Sequence, residues 1–573
     1  MSLRLVLQRI LFTILLPLSL TSAISLYLYP VLQGCAFPVP ATNTANDSAS
    51  QWVRNGVVNT LFQHAAAWSS SMPILPQFPP HNNSSEPAIF RLLVLADPQI
   101  EGDSSLPSPD DEFVPRLRRH WATLRSSSFN TQTLKDVAHT IAFEDFPSAF
   151  RAARKRLDLL GNDYYLAHIY RTLSWWSRPT HVTVLGDLIG SQWVNDEEFE
   201  NRAWRYWNRV FRDGERVNDD ITISHGEDEN LETLQRYNSS WANRIINIAG
   251  NHDIGYAGDV SKRRLERFEQ AFGRANWDIR FVHPPLEGGK QEEDSNTQTR
   301  PTLHIINLND LTLDGPPFDQ DIQSDSYAYI NDILNHRSHP VEDQTSFTLL
   351  LTHVPLHKRE GVCVDGPYFT FFDHDDGTNN NPASRFRKGG LREQNHLSEY
   401  VSTNAILEGI FGMSADSHSS PANGQGRRGL ILTGHDHEGC DVIHFINRTD
   451  DSDALDAKHS ESYHWDATRY HHHHYPPTPN PSIREVTMRS MMGQYDGNAA
   501  LLSLWFDSDP AVNQWQYEIQ MCPAGVQHIW WAVHGLAFAC LIGLGIVTIL
   551  RVLELAFWPS RGGGGKRNEA RKS

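Results

Sequence analysis

Six side chains able to bind a metal stand just beyond apolar, β-rich runs: Asp97 after LLVLA, Asp187 after HVTVL, Asn251 after IINIA, His353 after FTLLLT, and His435 and His437 after LILT. A strand that delivers a carboxylate, amide or imidazole at its C-terminal end is how open α/β sheets build their sites. Two Asp, one Asn and three His form a donor set suited to two divalent ions. Such a pair, roughly 3.5–4 Å apart, activates a water and neutralises the nonbridging oxygens of a phosphate ester. One carboxylate must then be shared, and Asp187 is the candidate. Asp97 would anchor the first ion, Asn251 would give a neutral oxygen, and His353, His435 and His437 would complete the shells. His252 directly follows a ligand, so it points elsewhere; it would hydrogen-bond the phosphate or protonate a leaving alkoxide. Asp253 is expected to orient His252. No G-x-S-x-G elbow supports acyl transfer, and no H-E-x-x-H supports a single-zinc protease.

These ligands need a frame of strands. The runs Phe90–Ala96, His181–Leu185, Arg244–Ala249, Thr302–Leu308, Ser346–Leu351, Leu430–Thr433 and Val442–Ile446 read as strands, as do Arg484–Met491, Ala499–Phe506 and Trp515–Met521. Apolar residues at helical spacing mark Phe150–Trp176, Glu197–Phe211 and Ser261–Phe272, with a further helix at Trp52–Trp68. Alternation of β and α early, then β late, predicts two sheets packed together with helices outside. Long polar segments (Glu101–Pro115, Glu287–Arg300, Asp365–Arg392, Ser414–Arg427, Asp450–Pro481) read as loops.

The chain has 573 residues and a net charge of −18, and no basic patch interleaved with aromatics lies in its middle, so nucleic acid is excluded as a partner. Two segments, Ile10–Leu32 and Ile529–Leu553, are long and apolar enough to cross a hydrocarbon core of about 30 Å. Trp530, Trp531 and Trp558 near the second fit an interfacial belt. Arg4 and Arg9 precede the first; Arg561, Lys566, Arg567, Arg571 and Lys572 follow the second. By the positive-inside rule both tails are cytosolic and everything between is luminal. Acceptors for N-glycosylation at Asn46, Asn82, Asn83, Asn238 and Asn447 agree, making a glycoprotein the expectation. The expected organisation is a cytosolic tail and span (1–33), a luminal linker (34–88), a catalytic domain (89–522), a second span (529–553) and a basic tail (554–573). Cys540 is in the second span; Cys35, Cys363, Cys440 and Cys522 are in a disulfide-permissive compartment, with three pairings open. A bridge at Cys440, three residues after His437, would brace a ligand loop.

The order D-x-Q, GD, GNHD, H, GHDH over residues 90–510 resembles the calcineurin-like metallophosphoesterases. With its two spans and the stretches VLADPQIEGD, GNHDIGY and GHDHEGCD, the chain is similar to the fungal endoplasmic-reticulum relatives of the GPI-glycan remodelling phosphodiesterases. The resemblance implies a two-sheet α/β/β/α sandwich flanked by transmembrane helices. It implies a manganese-dependent luminal hydrolase that removes ethanolamine phosphate from a mannose of the GPI anchor, in the ER membrane with cycling to the Golgi, and ER export machinery among its partners. Alternatives are another luminal lipid- or sugar-linked phosphate as substrate, or a non-catalytic anchor-binding export factor. Carried over by position, Asp97, Asp187 and His437 hold the first metal, and Asp187, Asn251, His353 and His435 the second, with His252 at the scissile phosphate. Gln99 stands where most of the superfamily has His, and is expected to reach the first ion, or its water, through a poorer, neutral donor. Weaker candidates are His357 and Lys358 for phosphate, Asp310 as a further site residue, Arg489 and Tyr495 along the glycan cleft, and Asp436 and Glu438 for the ethanolamine ammonium. His471–His474 reads as a solvated tract.

Overall fold

A computed structural model describes residues 3–40, 57–71, 88–103, 105–223, 231–235, 240–285, 300–336, 343–377, 384–416, 420–449, 462–470 and 481–557. The acceptors Asn46, Asn82, Asn83 and Asn238, the His471–His474 tract, Trp558 and the basic tail lie outside the described residues. The chain divides into two compact units, Met1–Tyr29 with Gly525–Ser573, and Pro30–Ala524. In the first, Arg4–Leu32 and Gln527–Ala556 are helices long and apolar enough to span a membrane. Arg4 and Glu554 form an ion pair within it.

The larger unit holds two sheets. The first has six strands in the spatial order Gln514–Pro523, Asn498–Asp507, Phe90–Leu95, His181–Val184, Arg244–Asn247 and Glu215–Arg216. From Phe90–Leu95 onward these are parallel, while Asn498–Asp507 runs antiparallel to both its neighbours. The second has eight: Ser462–Arg469, Cys440–Thr449, Ser482–Thr487, Gly429–Thr433, Ser346–Leu351, Thr302–Asn307, Trp277–Val282 and Leu231–Thr233. The middle of this sheet, from Ser482–Thr487 to Thr302–Asn307, is parallel.

Alternation along the strands builds the core. Phe90, Leu92 and Val94 of one sheet meet Leu303, Ile305, Phe347, Leu349, Leu351, Leu430 and Leu432 of the other in a single buried cluster. The residues between them, such as Leu93, Leu350 and Ile431, are buried too. Strands covered on both faces read as continuous apolar runs, which is why they are so visible in the sequence. Truncating one of these leucines to Ala costs about 2–5 kcal/mol.

Helices cover the outer faces. Asn195 caps the helix Asp196–Arg205 by accepting from the Glu198 N–H at 2.9 Å, with Asp196, Glu197 and Glu198 in its first turn. The expected helices over 150–176 and 261–272 are present as Phe146–Ser177 and Lys262–Phe272. Several elements depart from expectation. Helices occupy Phe113–Ser126, Thr131–Thr140 and Gln320–His336, and strands occupy Trp277–Val282 and Ser462–Arg469. The last of these falls in the stretch 450–481 read as loop; it is an edge strand that buries Ala467 and leaves His464 exposed, so few apolar residues signal it. The stretch 365–392 contains the start of a small hairpin, Phe369–Phe371 with Leu391–Gln394.

Two disulfides select one of the three pairings, Cys35–Cys522 and Cys363–Cys440. The second joins the strand that follows His437 to the loop after His353, so it does brace the ligand loops. The first fastens the two ends of the larger unit to each other.

Candidate metal centre

The parallel strands of both sheets end at one place. Phe90–Leu95, His181–Val184 and Arg244–Asn247, neighbours in the first sheet, lead to Asp97, Asp187 and Asn251. Ser346–Leu351 and Gly429–Thr433, neighbours in the second, lead to His353 and to His435 and His437. Ligand atoms of Asp97, Asp187 and His437 lie within 4.8 Å of one another, and so do those of Asp187, His353 and His435. Asp187 belongs to both groups.

Backbone geometry in these turns is unusual. Asp97, Gln99, Asp187 and His435 all have positive φ, between 40° and 71°. Each such residue costs of order 1–3 kcal/mol, and such strain collects at functional sites. The motif glycines are steric requirements: a Cβ on Gly186 would lie 2.2 Å from His353 Nδ1, and one on Gly250 2.0 Å from the Asp187 nitrogen.

Hydrogen bonds set which atom each ligand presents. His353 Nδ1 donates to the Leu185 carbonyl at 2.9 Å, leaving Nε2 3.0 Å from Asn251 Oδ1 and 3.4 Å from Asp187 Oδ1. His435 Nε2 donates to the Gln394 carbonyl at 2.8 Å, so Nδ1 is the free nitrogen. His437 Nδ1 contacts the Tyr495 hydroxyl at 3.1 Å. Such outer contacts fix tautomer and ring direction in metal sites. Asp97 is fully buried; its Oδ1 accepts from the His435 N–H at 3.1 Å, whereas Oδ2 has no hydrogen-bond partner.

The electrostatics follow from two carboxylates buried together among imidazoles. Burial, then the neighbouring Asp187, pushes the Asp97 carboxyl well above the carboxylate range. Burial opposes the charge of Asp187 as well, but His252, His353 and His435 outweigh it and hold that carboxyl low. Burial keeps His353 and His437 below the ordinary imidazole value and takes His435 to about 3. Neutral imidazoles offer lone pairs, and two buried carboxylates with an orphaned oxygen call for a cation. The residues present fit a divalent metal.

Gln99 lies against the cluster, while Asp253 and Lys358 sit differently from expectation. Gln99 turns its amide nitrogen to the cluster: Nε2 lies 3.1 Å from Asp187 Oδ2 and 3.1 Å from His437 Nε2, donating to both. The carboxylate, an acceptor only, selects the amide nitrogen here; a cation between the same groups would select the amide oxygen. Asp253 is fully buried, and its carboxylate accepts from the N–H groups of Leu188, Ile189 and Gly250 at 2.9–3.1 Å. It ties the Asp187 and Asn251 turns together instead of orienting His252. Lys358 is 1% exposed and paired with Glu485 at 2.9 Å, out of reach of a phosphate in the cleft. Asp310, also fully buried, accepts from the Val354 N–H at 2.9 Å and so holds the turn carrying His353. Asp436 is buried, and Glu438 faces Arg489 at 3.4 Å.

His252 is the exposed member. Its N–H donates to Asp187 Oδ1 at 2.8 Å, and its half-exposed ring has Nε2 3.8 Å from Asp187 Oδ2. The ring opens on a cavity of about 680 Å³ that also touches Asn251 and His435, walled by Trp193, Tyr368 and the hairpin residues Arg392 and Glu393. The reading of the sequence had no signal for Gln394, whose backbone carbonyl does the orienting, or for this aromatic wall. Tyr495, a cleft candidate, is partly exposed and packs against His437.

No family model matches the chain. It is 31% identical over 466 residues to Protein TED1 of Saccharomyces cerevisiae, covering 73% of this chain and 84% of the relative. An uncharacterised protein of Schizosaccharomyces pombe is 26% identical over 451 residues, 70% of this chain and 81% of the relative. Metallophosphoesterase 1 of Danio rerio is 27% identical over 117 residues, 20% of this chain and 24% of the relative.

Proposed function

Since the chain belongs with yeast TED1 to the calcineurin-like metallophosphoesterases, metal-dependent hydrolases of phosphoric esters, we propose that it is a luminal phosphodiesterase that removes ethanolamine phosphate from a mannose of the GPI anchor. The observation that carries this reading is Asp187, shared by two ligand groups at the C-terminal ends of both sheets. In the proposed assignment Asp97, Asp187 and His437 hold one divalent ion, and Asp187, Asn251, His353 and His435 the other, with manganese the expected metal. Bound there, the ions lower the pKa of a water and neutralise charge on the phosphate. Asp187 keeps its carboxylate ionised between the imidazoles, and Asn251 adds a neutral oxygen. His252, on the open side, protonates the leaving mannose oxygen. The ER membrane is the proposed location and GPI-anchored proteins the substrates, with their export from the ER depending on the reaction.

Hydrolysis of a synthetic ethanolamine-phosphate mannoside by the purified chain, with metal analysis of the same sample, tests the reading directly. Activity lost in Asp187→Ala together with metal is expected. A deletion strain is expected to accumulate a GPI glycan that keeps an ethanolamine phosphate on one mannose; an unchanged glycan profile would refute the substrate. Gln99, standing between Asp187 and His437 where most of the superfamily has His, favours one second reading, an anchor-binding export factor without turnover. Full function of an Asp187→Ala variant in cells would establish it.

A further inference from the structure

Between the strands Phe90–Leu95 and His181–Val184 the chain inserts a helical layer, Phe113–Ser126, Thr131–Thr140 and Phe146–Ser177. We infer that the outer face of this layer is a membrane-surface contact, seated in the headgroup region of a phospholipid bilayer.

The long helix carries Phe146, Phe150, Leu157, Leu160 and Tyr164 exposed, at spacings of four, seven, three and four that keep one stripe in register over five turns; Phe150 is 68% exposed. The helix Phe113–Ser126 adds Val114, Leu117 and Trp121, again three and four apart, with Trp121 62% exposed and edge-on to exposed Phe129 at 5.8 Å. Large apolar side chains in this number mark an interaction surface. They are held rigidly. Asp145, buried at the junction, accepts from Arg116 at 3.0 Å and pairs with His120 at 2.7 Å, while Arg156 pairs with Glu112.

Charge identifies the partner. Nine Arg and Lys against four Asp and Glu lie between Phe113 and Leu160, a net +5 in a chain of net −18. Arg118, Arg119, Arg125, Arg151 and Arg154 are exposed beside the apolar rows. Aromatic and aliphatic residues flanked by arginines are the composition of helices that lie in a bilayer interface, the cations reaching phosphates while the apolar face enters the acyl boundary. A second copy would set this basic face against itself, which like charges oppose. The unit is also tethered: Cys35–Cys522 fastens its two ends together, and each end continues into an apolar helix long enough to span. A tether raises the effective concentration of the bilayer, so a shallow contact suffices. This inference does not depend on the proposed substrate.

The experiment uses the full chain in phosphatidylcholine vesicles, in a Cys540→Ser background that removes the remaining unpaired thiol. Phe150→Cys and, as a control on the opposite part of the sequence, exposed Ser508→Cys each receive a nitroxide label. Power-saturation measurements are expected to find the label at 150 severalfold less accessible to a water-soluble nickel chelate than the label at 508, and more accessible to oxygen. Equal chelate access at the two positions would overturn the inference. So would dipolar broadening between labels at 150 on different molecules, which would assign the face to a second copy. Because both positions are exposed, neither label disturbs the core.

Discussion

The group around Asp97 and Asp187 and the group around Lys358 and Glu485 are built from the same kinds of residue, and each is buried near strands of the second sheet. Glu485 is fully buried, accepts from Lys358 and from His444 at 2.5 Å, and takes the Leu356 N–H at 3.0 Å. Burial opposes its charge, yet Lys358 and His444 hold it down at about 2. That cluster supplies its own cation. The other gathers two carboxylates, three imidazoles and an orphaned Asp97 oxygen with no Lys or Arg among the partners described. Buried charge must be matched from somewhere. Where the chain matches it, the result is a brace; where it does not, the result is a site for a metal.

The contrast can be broken at its strongest point by Asp187→Asn, which keeps the shape and removes the shared charge. Loss of outer contacts alone typically costs 10–100-fold in affinity or activity, so this change is expected to lower phosphodiesterase activity by more than about 100-fold. The metal-free variant should still fold, with a modestly lower thermal midpoint, because the imidazoles and the His252 N–H favour the charge that Asn removes. Lys358→Met should do the reverse. It strands a buried carboxylate and is expected to lower stability by about 3–5 kcal/mol in chemical denaturation, leaving metal content per folded molecule unchanged. A second change, Glu485→Leu, should recover much of that loss.

Acid separates the two clusters further. The folded pKa of Glu485 is depressed from about 4.3 in an unfolded chain to about 2. Its contribution to stability is therefore complete above pH of about 4.3 and fades as pH falls toward 2. Unfolding midpoints measured in that window should drop in the wild type and drop less in the Lys358→Met, Glu485→Leu double variant. The smallest expected effect is Tyr495→Phe, which removes the hydroxyl beside His437 Nδ1: about tenfold weaker metal binding by titration, at the low end for such contacts, with stability unchanged.

Some of this was legible in the residues. The site strands are covered on both faces, so they appear as uninterrupted apolar runs, and the candidate ligands stand two to four residues beyond their ends. Asp97, Asp187, Asn251, His353, His435 and His437 could be named for that reason. Asp253 and Lys358 could not be placed, because a carboxylate beside His252 and a lysine five residues after His353 look available for chemistry until their partners, backbone N–H groups and Glu485, are brought in from distant sequence. The helices Phe113–Ser126 and Thr131–Thr140 were hidden by their exposed apolar residues, which blur the usual inside–outside pattern.

By itself the sequence determined the ligand types, their order along the chain and the strands that carry them, since local propensity and alternation are encoded within a few residues. Only the tertiary structure decided that three candidate ligands from one sheet and three from the other come together, that Asp187 belongs to both groups, and that Gln99 stands between Asp187 and His437. Those outcomes depend on contacts between residues as far apart as Gln99 and His437. Such contacts are set by how two sheets pack, which no local stretch contains.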